Sequence, residues 1–282
     1  MQEQSTQEGG QKMNKSVGIV GNGYVGKAMV NFFGDHYKVK VHDPAYEDSC
    51  SKSEINECDL ALVCVPTPMN GGGSCDTSIV EEVFEWLKAP LIIIKSTVPV
   101  GTTDFLARKH GRNVVFSPEY CGESTYWSPY EFHTDVKETP FFTFGGEKEA
   151  TSKAIDFYLP VVGPVKKYNQ TTAKAAEMAK YMENSFYATK IAFCNEMYSI
   201  CESMGIDWHE TREAWLSDPR IHPMHTAVFK DRRGFGGKCL PKDLNAVITF
   251  AEEAGEDATL LKAVWESNAN IRSDYESYDV LG

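Results

Sequence analysis

Ser16-Val17-Gly18-Ile19-Val20-Gly21-Asn22-Gly23-Tyr24-Val25-Gly26 is the stretch that decides the fold of this chain. An apolar run ends in a GxGxxG turn and passes directly into GYVGKAMVNFF (23–33), apolar at helical spacing. Gly21 permits the tight turn, Gly23 lets backbone approach a pyrophosphate, and Gly26 allows close packing of helix on strand. Tyr24 and Val25 open the helix, whose free N–H groups and dipole attract phosphate charge. The next apolar run, KVKVH (38–42), is followed by Asp43, seventeen residues after Gly26. A carboxylate there accepts hydrogen bonds from ribose hydroxyls and repels a 2′-phosphate, so the expected cofactor is NAD.

Working outward, short apolar runs keep alternating with amphipathic ones. DLALVCV (59–65), LIIIK (91–95) and NVVFS (113–117) read as strands, with helices at 77–87 and 103–109. Strands this apolar are buried on both faces, the habit of a parallel sheet covered by helices. The expected fold class is therefore α/β, a Rossmann-like, doubly wound parallel sheet over 15–170. From Thr171 to Met204 there are 34 residues without Gly or Pro. They predict one helix of about 50 Å, on which a helical domain over 171–282 is built. Further helices are expected at 241–254 and 258–272. Residues 1–14 are polar and read as a disordered tail.

The chain has 282 residues and a net charge of −12, with 40 acidic against 28 basic residues. So negative a surface repels a phosphate backbone and disfavours nucleic acid as a partner. No apolar run approaches the ~20 residues needed to span a bilayer, so no membrane role is expected. The eight cysteines form no CxxC pair, and the reading for most is a reduced core thiol in a cytoplasmic protein. The seven histidines show no metal-ligand spacing, and no metal site is expected.

Five further segments follow in order. They are Val65-Pro66-Thr67-Pro68, Lys95-Ser96-Thr97-Val98-Pro99-Val100-Gly101-Thr102, and Ser117-Pro118-Glu119-Tyr120 with Glu123. Then come Ala176-Glu177-Met178-Ala179-Lys180-Tyr181-Met182-Glu183-Asn184 and Gly234-Phe235-Gly236-Gly237-Lys238-Cys239-Leu240-Pro241-Lys242-Asp243. Together with the glycine turn this series resembles the UDP-glucose/GDP-mannose dehydrogenase family. The likeness runs over roughly 16–272 and stops before that family's nucleotide-binding third domain. Two details differ: Pro118-Glu119-Tyr120-Cys121-Gly122-Glu123-Ser124 keeps both acids but changes the backbone between them, and 124–140 is unusually aromatic.

The resemblance implies a nucleotide-sugar substrate, UDP-glucose first, whose primary alcohol is oxidised to a carboxylate by two hydride transfers to NAD. Cys239 is the implied nucleophile, adding to the aldehyde as a thiohemiacetal that the second hydride transfer converts to a thioester. Lys242 and the following helix would favour its thiolate. Lys180 and Asn184, spaced i, i+4, share a helix face and by resemblance bind substrate and steady the oxyanion. Asp243 and Thr97 are implied in handling the alcohol proton, and Glu119 in general acid or base work during thioester hydrolysis. Thr67, Pro68, Ser96, Thr97, Glu123 and Lys242 match cofactor positions. Glu119, Glu123, Phe235, Gly236 and Arg220 match substrate positions, Arg220 reaching the neighbouring subunit of a homodimer. Two other readings stay open. One is a two-electron β-hydroxyacid-type dehydrogenase, which has no use for a nucleophilic thiol, and the other is a non-catalytic partner subunit.

Overall fold

The computed structural model describes residues 14–71, 73–121 and 135–272. The expected tail lies, up to residue 13, outside them. Five strands stand where apolar runs predict them: β1 Ser16–Val20, β2 Lys38–His42, β3 Leu60–Val63, β4 Ile92–Ile94 and β5 Val114–Phe116. They pair in parallel, with Val17 opposite Val39 and Leu60, and Leu62 opposite Ile93. Two more strands, β6 Phe141–Gly145 and β7 Lys167–Thr171, extend the sheet to seven in the order β2-β1-β3-β4-β5-β6-β7.

The sheet is not wholly parallel, as the sequence had suggested. β6 runs antiparallel to β5 through Phe116 and Gly145, and β7 then runs parallel to β6. β7 reads KYNQT and carries no fully buried residue, so it lacks the continuous apolar run that marks a central strand.

The central strands supply both cores by strict alternation, since successive side chains point to opposite faces. Leu62, Ile93 and Val115 join one cluster with Met29, Phe32, Phe33 and Tyr158. Ala61, Val63, Ile92, Ile94 and Phe116 join the other with Val80 and Phe84. The helices that cover these faces include α1 Tyr24–Phe33, α3 Ser78–Trp86, α4 Thr102–His110 and α5 Lys148–Val162, with the short α2 Lys52–Asn56 between β2 and β3. Truncating a wholly buried side chain such as Ile93 costs about 2–5 kcal/mol.

The remaining helices are α6 Ala173–Met204, α7 Trp208–Leu216, α8 Cys239–Glu253 and α9 Thr259–Ile271. The chain forms two compact units, Met1–Thr67 with Thr77–Glu177, and Pro68–Asp76 with Met178–Gly282. The division between these units falls inside α6. The first turn of α6 explains this. Ala176 packs in the sheet unit's core, and Glu177 is fully buried with its carboxylate accepting the N–H groups of Gly101 (2.5 Å) and Thr103 (2.9 Å). It thereby satisfies open donors at the start of α4. Burial pushes the Glu177 carboxyl up, against the pull of those donors. Among the described residues no helix is long and apolar enough to cross a membrane.

Candidate active site

The sheet unit carries the cofactor loop. Gly21 has φ +93°, and a Cβ there would lie 2.6 Å from the Cys64 carbonyl oxygen. A Cβ on Gly26 would fall 2.0 Å from the Gly21 oxygen, so strand and helix touch through bare backbone. Gly23 faces open space, with nothing within 4 Å of a would-be Cβ. Tyr24 is exposed beside it, and Val25 packs against the core. Asp43 closes the other side. One of its oxygens accepts the Asn22 N–H (2.7 Å), the other the Ala45 N–H (3.0 Å). It lines a pocket with Asn22, Val41, Tyr46, Asp48, Ser49 and Cys50. A bare-backbone cradle beside a fixed carboxylate, with Asp48 as a second acid, fits NAD and opposes a 2′-phosphate.

The strand ends hold a second group. Thr67 and Ser96 are buried, and the Ser96 hydroxyl donates to the Val65 carbonyl (2.7 Å). Thr97 is half-buried just beyond, whereas Pro68 is exposed and belongs to the helical unit. Glu119 is locked. Its Oε1 accepts the N–H groups of Tyr120 (2.8 Å) and Cys121 (3.1 Å), and its Oε2 lies 3.2 Å from the ammonium of Lys95. Burial works against the Glu119 carboxylate, but Lys95 and those donors hold its pKa below the ordinary value. Lys95, equally buried, has its own pKa raised by Glu119 in spite of desolvation. Glu123 lies outside the described residues.

In the helical unit, Asn184 and Asp243 come together. The Asn184 amide donates to Asp243 Oδ2 (2.5 Å), and the Lys242 ammonium meets Oδ1 (2.5 Å). Asp243 is 1% exposed, and those partners take up both of its oxygens. Burial disfavours the Lys242 ammonium, yet Asp243 and the nearby thiols of Cys75 and Cys239 leave its pKa raised. Cys75 reaches this group on a small hairpin, closed by a Met69–Cys75 bridge, in which Gly73 abuts Asn245 and Thr249 of α8. Lys180 shares the helix face of Asn184 and pairs with Glu183 at 3.7 Å. Cys239 is exposed and is itself the first residue of α8, two residues earlier than the sequence pattern suggests. Pro241 is tolerated in that first turn because its missing N–H has no helical partner to lose.

Two residues that the motifs do not single out hold the loop before Cys239. Asn268 of α9 is fully buried, accepting the Phe235 N–H (2.8 Å) and donating to the Phe235 carbonyl (3.0 Å). Asn195 of α6 accepts the Gly234 N–H (3.0 Å). The fit explains two glycines: a Cβ on Gly234 would meet Asn268 Oδ1 at 2.4 Å, and one on Gly236 the Arg272 guanidinium at 2.3 Å. Arg233 donates to the Asn195 carbonyl and the Ser199 hydroxyl, with its guanidinium over the Tyr198 ring. Arg220 projects from an irregular segment with its side chain 86% exposed, paired with Asp218 at 2.6 Å. The missed residues left faint signals: a polar Asn268 on the buried face of α9, and a lysine closing the apolar strand LIIIK.

Comparison with known proteins identifies the family. The NAD binding domain of the UDP-glucose/GDP-mannose dehydrogenase family matches residues 36–156, and that family's central domain matches 174–270. The UDP-glucose 6-dehydrogenase YwqF of Bacillus subtilis is 32% identical over 240 residues, covering 80% of this chain and 51% of its own length. The chain thus spans about half the length of the curated relatives it matches. A UDP-glucose dehydrogenase structure from Pyrobaculum islandicum superposes with TM-score 0.78 at 27% identity, covering 95% of this chain and 70% of that one. A 3-hydroxyisobutyrate dehydrogenase from Mycobacterium tuberculosis shares the fold at TM-score 0.69 and 19% identity, covering 93% of this chain and 95% of its own. With an NAD-binding domain and a central domain matched in order, the chain belongs to the UDP-glucose/GDP-mannose dehydrogenase family.

Proposed function

We propose that the chain oxidises the primary alcohol of a nucleotide sugar to a carboxylate, with UDP-glucose to UDP-glucuronate as the reaction. Bound NAD supplies the hydride acceptor for each of two two-electron steps. The observation that carries the reading is Cys239: exposed at the first residue of α8, on a loop pinned by Asn268 and Asn195, and close to the Lys242 charge. A two-electron oxidation needs no such thiol. Its sulfur adds to the aldehyde formed in the first step, giving a thiohemiacetal. Loss of the second hydride leaves a thioester, and water then cleaves the C–S bond to release the carboxylate and restore the thiol.

The other roles follow family resemblance. Thr97 and Asp243, through a water, take up the alcohol proton. Asn184 spends one amide proton on Asp243 and has a second for the oxyanion, with Lys180 adding charge. Glu119 acts in the hydrolytic half as a base, which its ionised state suits. Glu123, Thr67, Pro68, Ser96 and Lys242 contact the cofactor, and Phe235 and Gly236 border the sugar nucleotide.

A homodimer completes the reading. Met182, Phe186, Phe193, Ile200 and Met204 are all more than 40% exposed and form one stripe along α6, a pattern that asks to be covered. The exposed Arg220 is the residue proposed to serve the partner. Arg220→Ala and Cys239→Ser subunits, each nearly inactive alone, should recover about a quarter of wild-type sites when mixed equally and allowed to exchange. No recovery in a verified mixed population would confine Arg220 to its own subunit. The reaction itself is tested with a panel of UDP- and GDP-sugars scored by NADH absorbance. Turnover of UDP-glucose is expected, and silence across the whole panel would overturn the proposal.

A further inference from the structure

We infer that Lys95 is a positioning residue for Glu119: it fixes that carboxylate as a charged group in one orientation and so restricts it to accepting protons. This rests on the reading of Glu119 as the base of thioester hydrolysis.

The geometry is specific. LIIIK ends β4 with a lysine that is only 4% exposed. Its ammonium donates to the Ser117 hydroxyl (3.4 Å) and the Pro118 carbonyl (3.5 Å) and lies 3.2 Å from Glu119 Oε2 as an ion pair. The other oxygen of Glu119 is turned back onto the N–H groups of Tyr120 and Cys121. Both charges are therefore held out of water in a single arrangement. Joining β4 to β5 does not need them, since an apolar pair of similar volume stabilises such a contact at least as well. What the pair supplies is a defined charge state.

The neighbours leave that state to Lys95. Cys64 faces the pair from the end of β3 and Tyr158 from α5; burial pushes the Cys64 thiol up to about 12 and raises the Tyr158 phenol, so both stay neutral. Among the described residues the full charge that faces Glu119 is the Lys95 ammonium. With it in place Glu119 is ionised at neutral pH and holds no proton to donate. It can take one from the attacking water as the C–O bond forms and the C–S bond breaks, and afterwards release it to solvent. Without the cation, burial is opposed only by the N–H groups of Tyr120 and Cys121, and the carboxyl pKa rises.

The test compares wild type with Lys95→Met, which keeps length and loses charge, and Lys95→Arg, which keeps charge. In single-turnover hydrolysis of the acyl-enzyme between about pH 5 and pH 8, the acidic limb of Lys95→Met should move up by about one pH unit or more. Its rate then falls about tenfold below that limb and approaches wild type at high pH. Lys95→Arg should bring the limb back toward the wild-type position. A second readout needs no turnover. The ¹³C resonance of the Glu119 carboxyl, assigned by its absence in Glu119→Gln, should titrate below the ordinary glutamate value in wild type and Lys95→Arg, and higher in Lys95→Met. Should Lys95→Met not fold, the other two titrations still decide. An ordinary midpoint for Glu119 in wild type, or an unmoved one in Lys95→Met, overturns the inference. Absence of NADH formation from every nucleotide sugar, with the titrations as expected, would instead count against the proposed reaction alone.

Discussion

Each unit of the molecule buries a lysine against a carboxylate, and the two pairs are built differently. In the sheet unit, Lys95 is ion-paired with Glu119 and donates to the Ser117 hydroxyl and the Pro118 carbonyl, buried at the end of a strand. In the helical unit, Lys242 pairs with its sequence neighbour Asp243, whose other oxygen is taken by Asn184, and it also lies in the field of Cys75 and Cys239. The first cation is spent on a carboxylate. The second is shared, because its partner is held by an amide from another helix and two thiols face the remaining charge. A spent lysine sets the protonation state of an acid, whereas a shared one can steady a thiolate that forms beside it.

That contrast can be broken most sharply at the thiol. Cys239→Ser should still bind NAD, since the glycine turn and Asp43 lie in the sheet unit, but should lose net four-electron turnover by several orders of magnitude. Intact-protein mass is the check, because a stalled acyl or aldehyde adduct adds a sugar nucleotide to the chain. Wild-type rates in this variant would make Cys239 merely structural. A smaller effect sharpens the comparison itself. Lys242→Met should slow alkylation of Cys239 by iodoacetamide at neutral pH by about tenfold, as expected for a thiol pKa about one unit higher. Lys95→Met should leave that rate alone, and equal effects from the two variants would erase the distinction between spent and shared. The smallest effect concerns the cofactor end. Wild type should prefer NAD over NADP by about tenfold or more in kcat/KM, worth about 1.4 kcal/mol. Asp43→Asn should narrow that preference, and parity in wild type would remove Asp43 from cofactor selection.

Much of the fold was legible because its signals are local. Five central strands are apolar runs, and the glycine turn is a spacing. α6 is a stretch free of helix breakers. β7 was less readable, since KYNQT at a sheet edge buries too little to leave a pattern. The division within α6 was hidden for a related reason: Glu177 belongs to the sheet unit through backbone donors at Gly101 and Thr103, and nothing in its own neighbourhood of sequence points to them. At the candidate site the motifs contain Cys239, Asn184, Asp243, Glu119 and Lys95 but do not show which residue holds which. Asn268 acts on Phe235 from 33 residues away and Lys95 on Glu119 from 24, so those partnerships exist only once the chain is folded.

The central claim is that a thiol in this chain carries a sugar through two successive oxidations. The most direct measurement is the number of NADH molecules formed per molecule of UDP-glucose consumed, with the carboxylate product quantified in parallel. The account predicts two NADH and one carboxylate for each sugar nucleotide. One NADH per sugar, with an aldehyde or ketone as the end product, would contradict it.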